Sequence, residues 1–335
     1  MEDLSIGGVA VLSHEMTNAW SRDVDAILEV LLANHSNQAD YKLIGPVRSL
    51  QSMTAMRTQL LAASPFLGDL TDALRRQLAE AVAVYIPSLG LEKYDVNTRS
   101  LVAYAIAACM GNPTATDHKR VIWDVKVANR GSTYFSTFSE TDLEAGFHTD
   151  TQYYPDPEPI FLLYCITPAR CYGGLSSICD GRALRRDIEK NDPWIFDILS
   201  HALLPFRVPS AFVTTGNADT IEATLAPVFA QTPLIRYRRD TLAEGLEHFP
   251  EYGNADVRKA LGAFEDRLQD CPHQVEFFMP ADSMVVVDNH RALHARTAFQ
   301  DTERHLLRIR LDENALPQQG LQQRLVRRER ELSPY

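Results

Sequence analysis

The sequence predicts an α+β protein in which helices wrap an antiparallel β sandwich or jelly roll. Three observations carry that expectation. Apolar residues recur at helical spacing through the first 115 residues. From Val121 onward they alternate in short runs broken by Pro, Gly and Asp. Charged, partly helical stretches then interrupt the β-rich half with no low-complexity linker and no internal repeat.

Taken in order, Trp20, Val24, Ile27, Leu28 and Leu31 predict a first helix, and Leu70, Leu74, Leu78, Val82 and Tyr85 predict another. A third runs from about Thr98 to Met110 and stops at Gly111-Asn112-Pro113. These stripes are expected to pack the core. VIWDVKV (121–127) then places Val121, Trp123, Val125 and Val127 on one strand face. The runs IFLLYCIT (160–167), LSSICD (175–180), PLIRYRR (233–239), QVEFFM (274–279), SMVVVD (283–288) and HLLRIRL (305–311) predict further strands. A helical insert over about 181–270 is expected to cover the mouth of the barrel. RLVRRERE (324–331) mixes charge signs and reads as a solvated helical face. A single domain over 1–335 follows: a helical part (1–115), a β core (120–312) holding the insert, and a tail (313–335).

Composition narrows the function classes. A formal net charge of -11 argues against a generic nucleic-acid or anionic-membrane surface, because both need clustered positive charge. Cys109, Cys165, Cys171, Cys179 and Cys271 are odd in number, sit in or beside apolar stretches and form no C-x-x-C pair. Reduced thiols in a cytoplasmic protein are expected, without a disulfide frame or structural zinc. The start, MEDLSIGG, is too weakly apolar for a signal peptide, and no run reaches membrane-spanning length.

The chemistry is concentrated in GFHTDTQ (146–152), where His148 and Asp150 form an H-x-D pair. In an extended segment residues i and i+2 project to one side, so both can reach one ion while Thr149 points away. DNHRALHARTAF (288–299) offers His294 after an apolar strand, with His290 as a competitor. Two imidazoles and one carboxylate leave half of an octahedral site open, as a non-haem Fe(II) oxygenase requires. On the next strand Leu307, Ile309 and Leu311 face one way and Arg308, Arg310 and Asp312 the other. An arginine inside a barrel calls for an anion, and a carboxylate matches its fork.

GFHTD, GGLSS and DNHRALHARTAF followed by RHLLRIRL together resemble the TauD/clavaminate synthase-like family of Fe(II)/2-oxoglutarate-dependent oxygenases, over about residues 120 to 312. The resemblance implies a double-stranded β-helix (jelly-roll) core, with iron held by His148, Asp150 and His294. It implies that Arg308, fourteen residues after His294, grips the distal carboxylate of 2-oxoglutarate, and that Ser176 of Gly173-Gly174-Leu175-Ser176 supplies the hydroxyl that helps. His294 is preferred to His290 because H-A-R-T-A-F matches the family's H-x-R-T-x-F. Where some members carry a second arginine that holds an anionic substrate, this chain has Asp312, which would repel an anion and attract an amine or guanidine; it could equally pair with Arg310. Arg310, Arg236 and Arg238 are the other possible anion contacts.

The implied reaction consumes dioxygen and 2-oxoglutarate, releases succinate and carbon dioxide, and oxidises a C–H bond of a small molecule, amino-acid-like or a secondary-metabolite scaffold. Hydroxylation is the default outcome, and the carboxylate ligand disfavours halogenation. Two other classes stay open on the residues: a metal-binding jelly roll with a structural or hydrolytic site, and a non-catalytic binding module. Oligomeric state is not legible.

Overall fold

The computed structural model describes residues 3–12, 23–35, 40–46, 49–115, 120–127, 138–209, 212, 220–230, 234–312 and 324–328. The N-terminal part runs β1 (Val9–Val11), α1 (Val24–Asn34), α2 (Leu50–Ala63), α3 (Pro65–Glu80), β2 (Ala83–Ile86), α4 (Val96–Met110) and β3 (Asn112–Pro113). The helix starts follow capping chemistry. The side chains of Ser49, Ser64 and Asp95 accept from the backbone N–H groups of Ser52, Leu67 and Thr98, and Pro65 opens α3 where no N–H is needed. Trp20 lies outside the described residues. The expected helix through Tyr85 ends earlier, at Glu80, with Val82 in the bend that follows and Tyr85 in β2. Ala83–Ile86 are buried without a break, which suits a strand covered on both faces better than an amphipathic helix turn.

The second half continues with β4 (Trp123–Val125), β5 (Ala145–His148), β6 (Ile160–Thr167), β7 (Ser176–Asp180), α5 (Gly181–Asn191), α6 (Pro193–His201), β8 (Leu204–Arg207) and β9 (Thr220–Ala226). It closes with α7 (Arg239–His248), α8 (Ala255–Gln269), β10 (Gln274–Phe277), β11 (Met284–Asp288), β12 (Ala292–Arg296), β13 (His305–Asp312) and β14 (Arg324–Arg328). A seven-stranded major sheet has the order β1-β2-β11-β6-β13-β3, with β4 also on β13. A four-stranded sheet, β10-β7-β12-β5, faces it, and β14-β9-β8 form a third. Pairing is antiparallel apart from β1 with β2.

Alternation along β6 sorts the core. Leu162 and Tyr164 pack with α1 to α4, as do Leu307, Ile309 and Leu311 of β13. Phe161 and Cys165 point between the two sheets, where they meet Ile178, Val275 and Phe277 from the facing sheet. Each such buried side chain contributes ~1.5–3 kcal/mol of transfer free energy. A buried polar chain ties the layers together: Arg99 of α4 donates to the Tyr164 hydroxyl (2.8 Å), which donates to Asp282 (2.6 Å).

Four local expectations are corrected. PLIRYRR forms a single bridge, Ile235 with Phe229, and α7 begins at Arg239. The Arg236 guanidinium donates to the carbonyls of Gln152, Tyr154 and Pro155, and scattered backbone bonds to Val228, Ala230, His290 and Thr149 stand in place of a ladder with one strand. The insert contains β8 and β9 besides its helices, and Arg324–Arg328 pairs with β9 as a strand, not a helical face. Residues 329–331 lie outside the described residues. β4 is shorter than its run, because Val121 and Ile122 are both buried and break the alternation.

Candidate functional site

β5 ends on His148, and antiparallel pairing puts His294 of β12 directly across from it. Directly opposed residues share a sheet face, so both imidazoles point between the sheets. Their ring centroids lie 4.1 Å apart. Asp150 follows two residues after His148, and its Oδ1 stands 3.7 Å from Nε2 of each histidine. One donor atom from each of the three falls within 4.8 Å of the others. Asn289, in the turn between β11 and β12, fixes Asp150 by its backbone. Its Oδ1 accepts from Asp150 N–H (2.7 Å), and its Nδ2 donates to the carbonyls of Asp150 (3.0 Å) and Glu158 (2.8 Å). Thr151 next to it adopts φ 52°, uncommon for a β-branched residue, and its hydroxyl donates to buried Glu158 (2.7 Å), which helps hold the turn.

The protonation states suit ligation. His148 Nδ1 lies 2.8 Å from the Gly146 carbonyl, so Nδ1 carries the proton and Nε2 keeps its lone pair. Burial pushes His148 down to about 4 and His294 well below its ordinary value, leaving both neutral at pH 7. Burial alone would raise Asp150. Arg308 and Arg310 outweigh it and hold the carboxyl well below the usual range. Arg308 Nη1 and Arg310 Nε lie 3.0 and 3.1 Å from Asp150 Oδ2. Two neutral imidazoles and an ionised carboxylate, buried and converging, fit a divalent metal of the Fe(II) type with positions left open.

A cavity opens beside the triad between the two sheets. Phe161, Leu163, Ile178 and Val285 give it apolar walls. Its polar lining is Ser139, Ser176, Ser177, Arg296, Arg304 and Arg308 besides the histidines, with no Asp or Glu among the described residues that line it. Ser176 is placed by the glycines before it. A Cβ on Gly173 would fall on the Ala298 carbonyl oxygen, and Gly174 takes φ +73° while its N–H donates to the same carbonyl (3.2 Å). That close crossing sets the register in which Ser176 pairs with Arg296. Ser177 borders both this cavity and an outer groove beside Gln274 and Glu276.

On the other side of His148 a second, wider cavity is bordered by Phe138, Glu144, Tyr237, Arg238, Asp240 and Glu265. The Arg238 guanidinium sits 4.1 Å from the centre of the Phe138 ring, which meets His148 edge-on at 5.4 Å. Asp240 holds Arg238 through two 2.7 Å hydrogen bonds.

The structure thus brings together His148, Asp150, His294, Ser176 and Arg308. His290 is set apart, with Nε2 at 2.9 Å from the Pro157 carbonyl. Asp312 lies across from Asn112 at the end of β13, half-buried, and lines neither cavity. Arg310 turns to Asp150. Sequence reasoning missed Asn289, Phe138 and Arg304; only the D-N start of DNHRALH hinted at the first.

Residues 47–310 match the taurine catabolism dioxygenase TauD, TfdA family. The chain is 23% identical over 217 residues to dioxygenase str8 of Strobilurus tenacellus, a match over 62% of this chain and 46% of that protein. It is 27% identical over 173 residues to gamma-butyrobetaine dioxygenase of Homo sapiens, over 50% and 43% of the two chains. The chain therefore matches less than half the length of these relatives. Among solved structures, its fold is similar to asparagine oxygenase in complex with Fe(II), 2S,3S-3-hydroxyasparagine and succinate (TM-score 0.62, 16% identity, 91% of this chain and 93% of that one). It is also similar to the non-heme iron oxygenase OrfP in complex with Fe, succinate and (3S)-hydroxy-L-Arg (TM-score 0.59, 15% identity, 91% and 94%). The chain belongs to the TauD, TfdA family.

Proposed function

We propose that this family member is an Fe(II)/2-oxoglutarate-dependent dioxygenase that oxidises, by default hydroxylates, an unactivated C–H bond of a small molecule. The observation that carries the reading is the arginine-lined, acid-free cavity opening onto the His148, Asp150, His294 triad. A divalent ion there would sit among guanidiniums with Asp150 as the one carboxylate of the triad. A dianionic keto acid restores the balance.

In this reading His148, Asp150 and His294 hold the iron, and Ser176 with Arg308 receives the distal carboxylate of 2-oxoglutarate. Bound together, the iron, keto acid and dioxygen supply an oxidant strong enough for a C–H bond, with succinate and carbon dioxide released. The chain's own part is positional. Asn289 keeps the Asp150 carboxylate aimed at the two Nε2 atoms, the His148–Gly146 bond fixes the tautomer, and the apolar walls exclude water. The facing sheets are read as a double-stranded β-helix in a single oxygenase domain, in a cytoplasmic setting that keeps the cysteines reduced.

The substrate would enter on the Phe138 and Arg238 side of His148. Glu144, Asp240 and Glu265 border that side, Asp240 already engaged by Arg238 and Glu265 by Tyr237, so Glu144 is the acid proposed to meet a cationic amine; Asp312, at the outer end of β13, lies away from both cavities. An amino-acid-like or secondary-metabolite substrate suits that mixture of charges. The hydroxylated amino acids bound by asparagine oxygenase and OrfP, and the name of gamma-butyrobetaine dioxygenase, support the same class.

The test is an anaerobic titration with Fe(II) and 2-oxoglutarate, following the visible charge-transfer band of the chelate. The band should form with wild type, vanish in His294→Ala and need far more 2-oxoglutarate in Arg308→Ala. Folded, iron-loaded protein that gives no band would reject the cosubstrate and move metal-assisted hydrolysis or simple binding ahead.

A further inference from the structure

Arg304 precedes β13 and is 4% exposed, yet its guanidinium makes no hydrogen bond to the described residues. The other arginines buried to a similar degree are provided for. Arg236 and Arg296 each donate to three carbonyls, Arg99 donates to Tyr164 and Cys165, and Arg310 reaches Asp150. Among the described residues the Arg304 guanidinium meets the Phe299 ring, at 5.0 Å, and Arg296 crowds the same ring at 4.8 Å. Its Nη1 is buried without a hydrogen-bond partner among the described residues. Burial lowers the guanidinium to about 10, so the group remains a cation at neutral pH. Cation–ring contact does not replace the hydration such a cation gives up, so a folded chain that keeps it has an anion to offer it.

The place for that anion is the cavity Arg304 shares with Ser176 and Arg308. Arg308 already spends a hydrogen bond on Asp150. We propose that Arg304 is a second guanidinium for the distal carboxylate of the keto-acid cosubstrate, and that it sets the preference for a dicarboxylate over a monocarboxylate keto acid. This rests on the cosubstrate reading above. The ligand would bring its own carboxylate to a cation that the fold leaves unmatched, and no bond is made or broken.

The experiment compares wild type, Arg304→Met and Arg304→Lys as anaerobic Fe(II) proteins. Each is titrated with 2-oxoglutarate and with 2-oxopentanoate, which lacks the distal carboxylate, using the charge-transfer band. Losing a charged hydrogen bond should weaken 2-oxoglutarate by about 10- to 100-fold in Arg304→Met. The affinity for 2-oxopentanoate should stay within about twofold, and Arg304→Lys should recover part of the loss. A variant that merely loosened the fold would weaken both ligands alike. Equal loss for the two keto acids, or no loss for 2-oxoglutarate, overturns the proposal and leaves the cosubstrate reading standing. Wild type that binds neither acid overturns both. If Arg304→Met fails to fold, Arg304→Lys decides by the same ratio.

Discussion

Asn289→Ala tests how the metal ligand is held. The side chain is 1% exposed and makes three hydrogen bonds, one accepted from Asp150 N–H and two donated to the Asp150 and Glu158 carbonyls. At a net ~1 kcal/mol each, their removal costs about 3 kcal/mol. A water admitted to the polar gap would return part of that, while any orphaned group would add to it. Over a chain of this length the loss corresponds to a fall in Tm of roughly 4 °C. The ion should feel it separately, because groups that orient a ligand are worth ~10–100-fold in metal affinity. Urea unfolding of the metal-free protein reads the first quantity, and anaerobic Co(II) calorimetry reads the second. Asn289→Asp, which keeps only the acceptor for Asp150 N–H, should recover no more than a fraction of either. An Asn289→Ala protein within about 0.5 kcal/mol of wild type and with unchanged Co(II) affinity would refute the reasoning.

Asp150→Ala should abolish the metal-dependent rise in stability, ~2.7 kcal/mol at a hundredfold excess over Kd in the wild type. It should also destabilise the metal-free protein, since Arg308 and Arg310 lose a buried carboxylate; thermal scans with and without Co(II) separate the two. Gly173→Ala forces a methyl group onto the Ala298 carbonyl, so a cost of about 1–3 kcal/mol in urea and weaker 2-oxoglutarate binding are expected together. A shift in neither would show that the crossing of the two segments has slack. For pH, burial favours a higher Asp124 value, but hydrogen bonds from His305 (2.7 Å) and Tyr41 (2.8 Å) hold it below the ordinary one. A depressed folded value means the contribution is complete above the unfolded value of ~4 and is lost as pH falls through the folded one. The urea midpoint should therefore drop on acidification more steeply in wild type than in Asp124→Asn.

The triad was legible because His148 and Asp150 stand two residues apart, at the end of β5 and in the turn after it, and His294 follows the apolar run of β11 on the next strand. Arg308 was legible because alternation with Leu307 and Ile309 leaves it one direction to point. What escaped lacks a period. Asn289 acts through backbone groups of a residue 139 positions away, which no local pattern records. Arg304 stands out by partners it lacks, and a missing contact has no sequence signature. Ala83–Ile86 extended a helical stripe because Leu78, Val82 and Tyr85 keep the spacing, although the backbone had already changed partners. In PLIRYRR the β-prone composition was real, but its backbone finds partners scattered over Val228, Ala230, His290 and Thr149 instead of one neighbouring strand, while the Arg236 fork takes three carbonyls.

The order of the major sheet has a consequence for anyone seeking a minimal version of this protein. β1, β2 and β3 come from the first 113 residues, and they lie at opposite margins of a sheet whose middle strands, β11, β6 and β13, come from the second half. A fragment beginning at residue 120 would contain every residue assigned here to iron and keto acid. It would also carry β11 with the hydrogen-bonding groups of Met284, Val286 and Asp288 bared to solvent, an open template for another strand. The chemistry-bearing half is thus not a module that can be transplanted. What the first half lends it is selvedge, the woven border that stops a fabric from fraying into its neighbours.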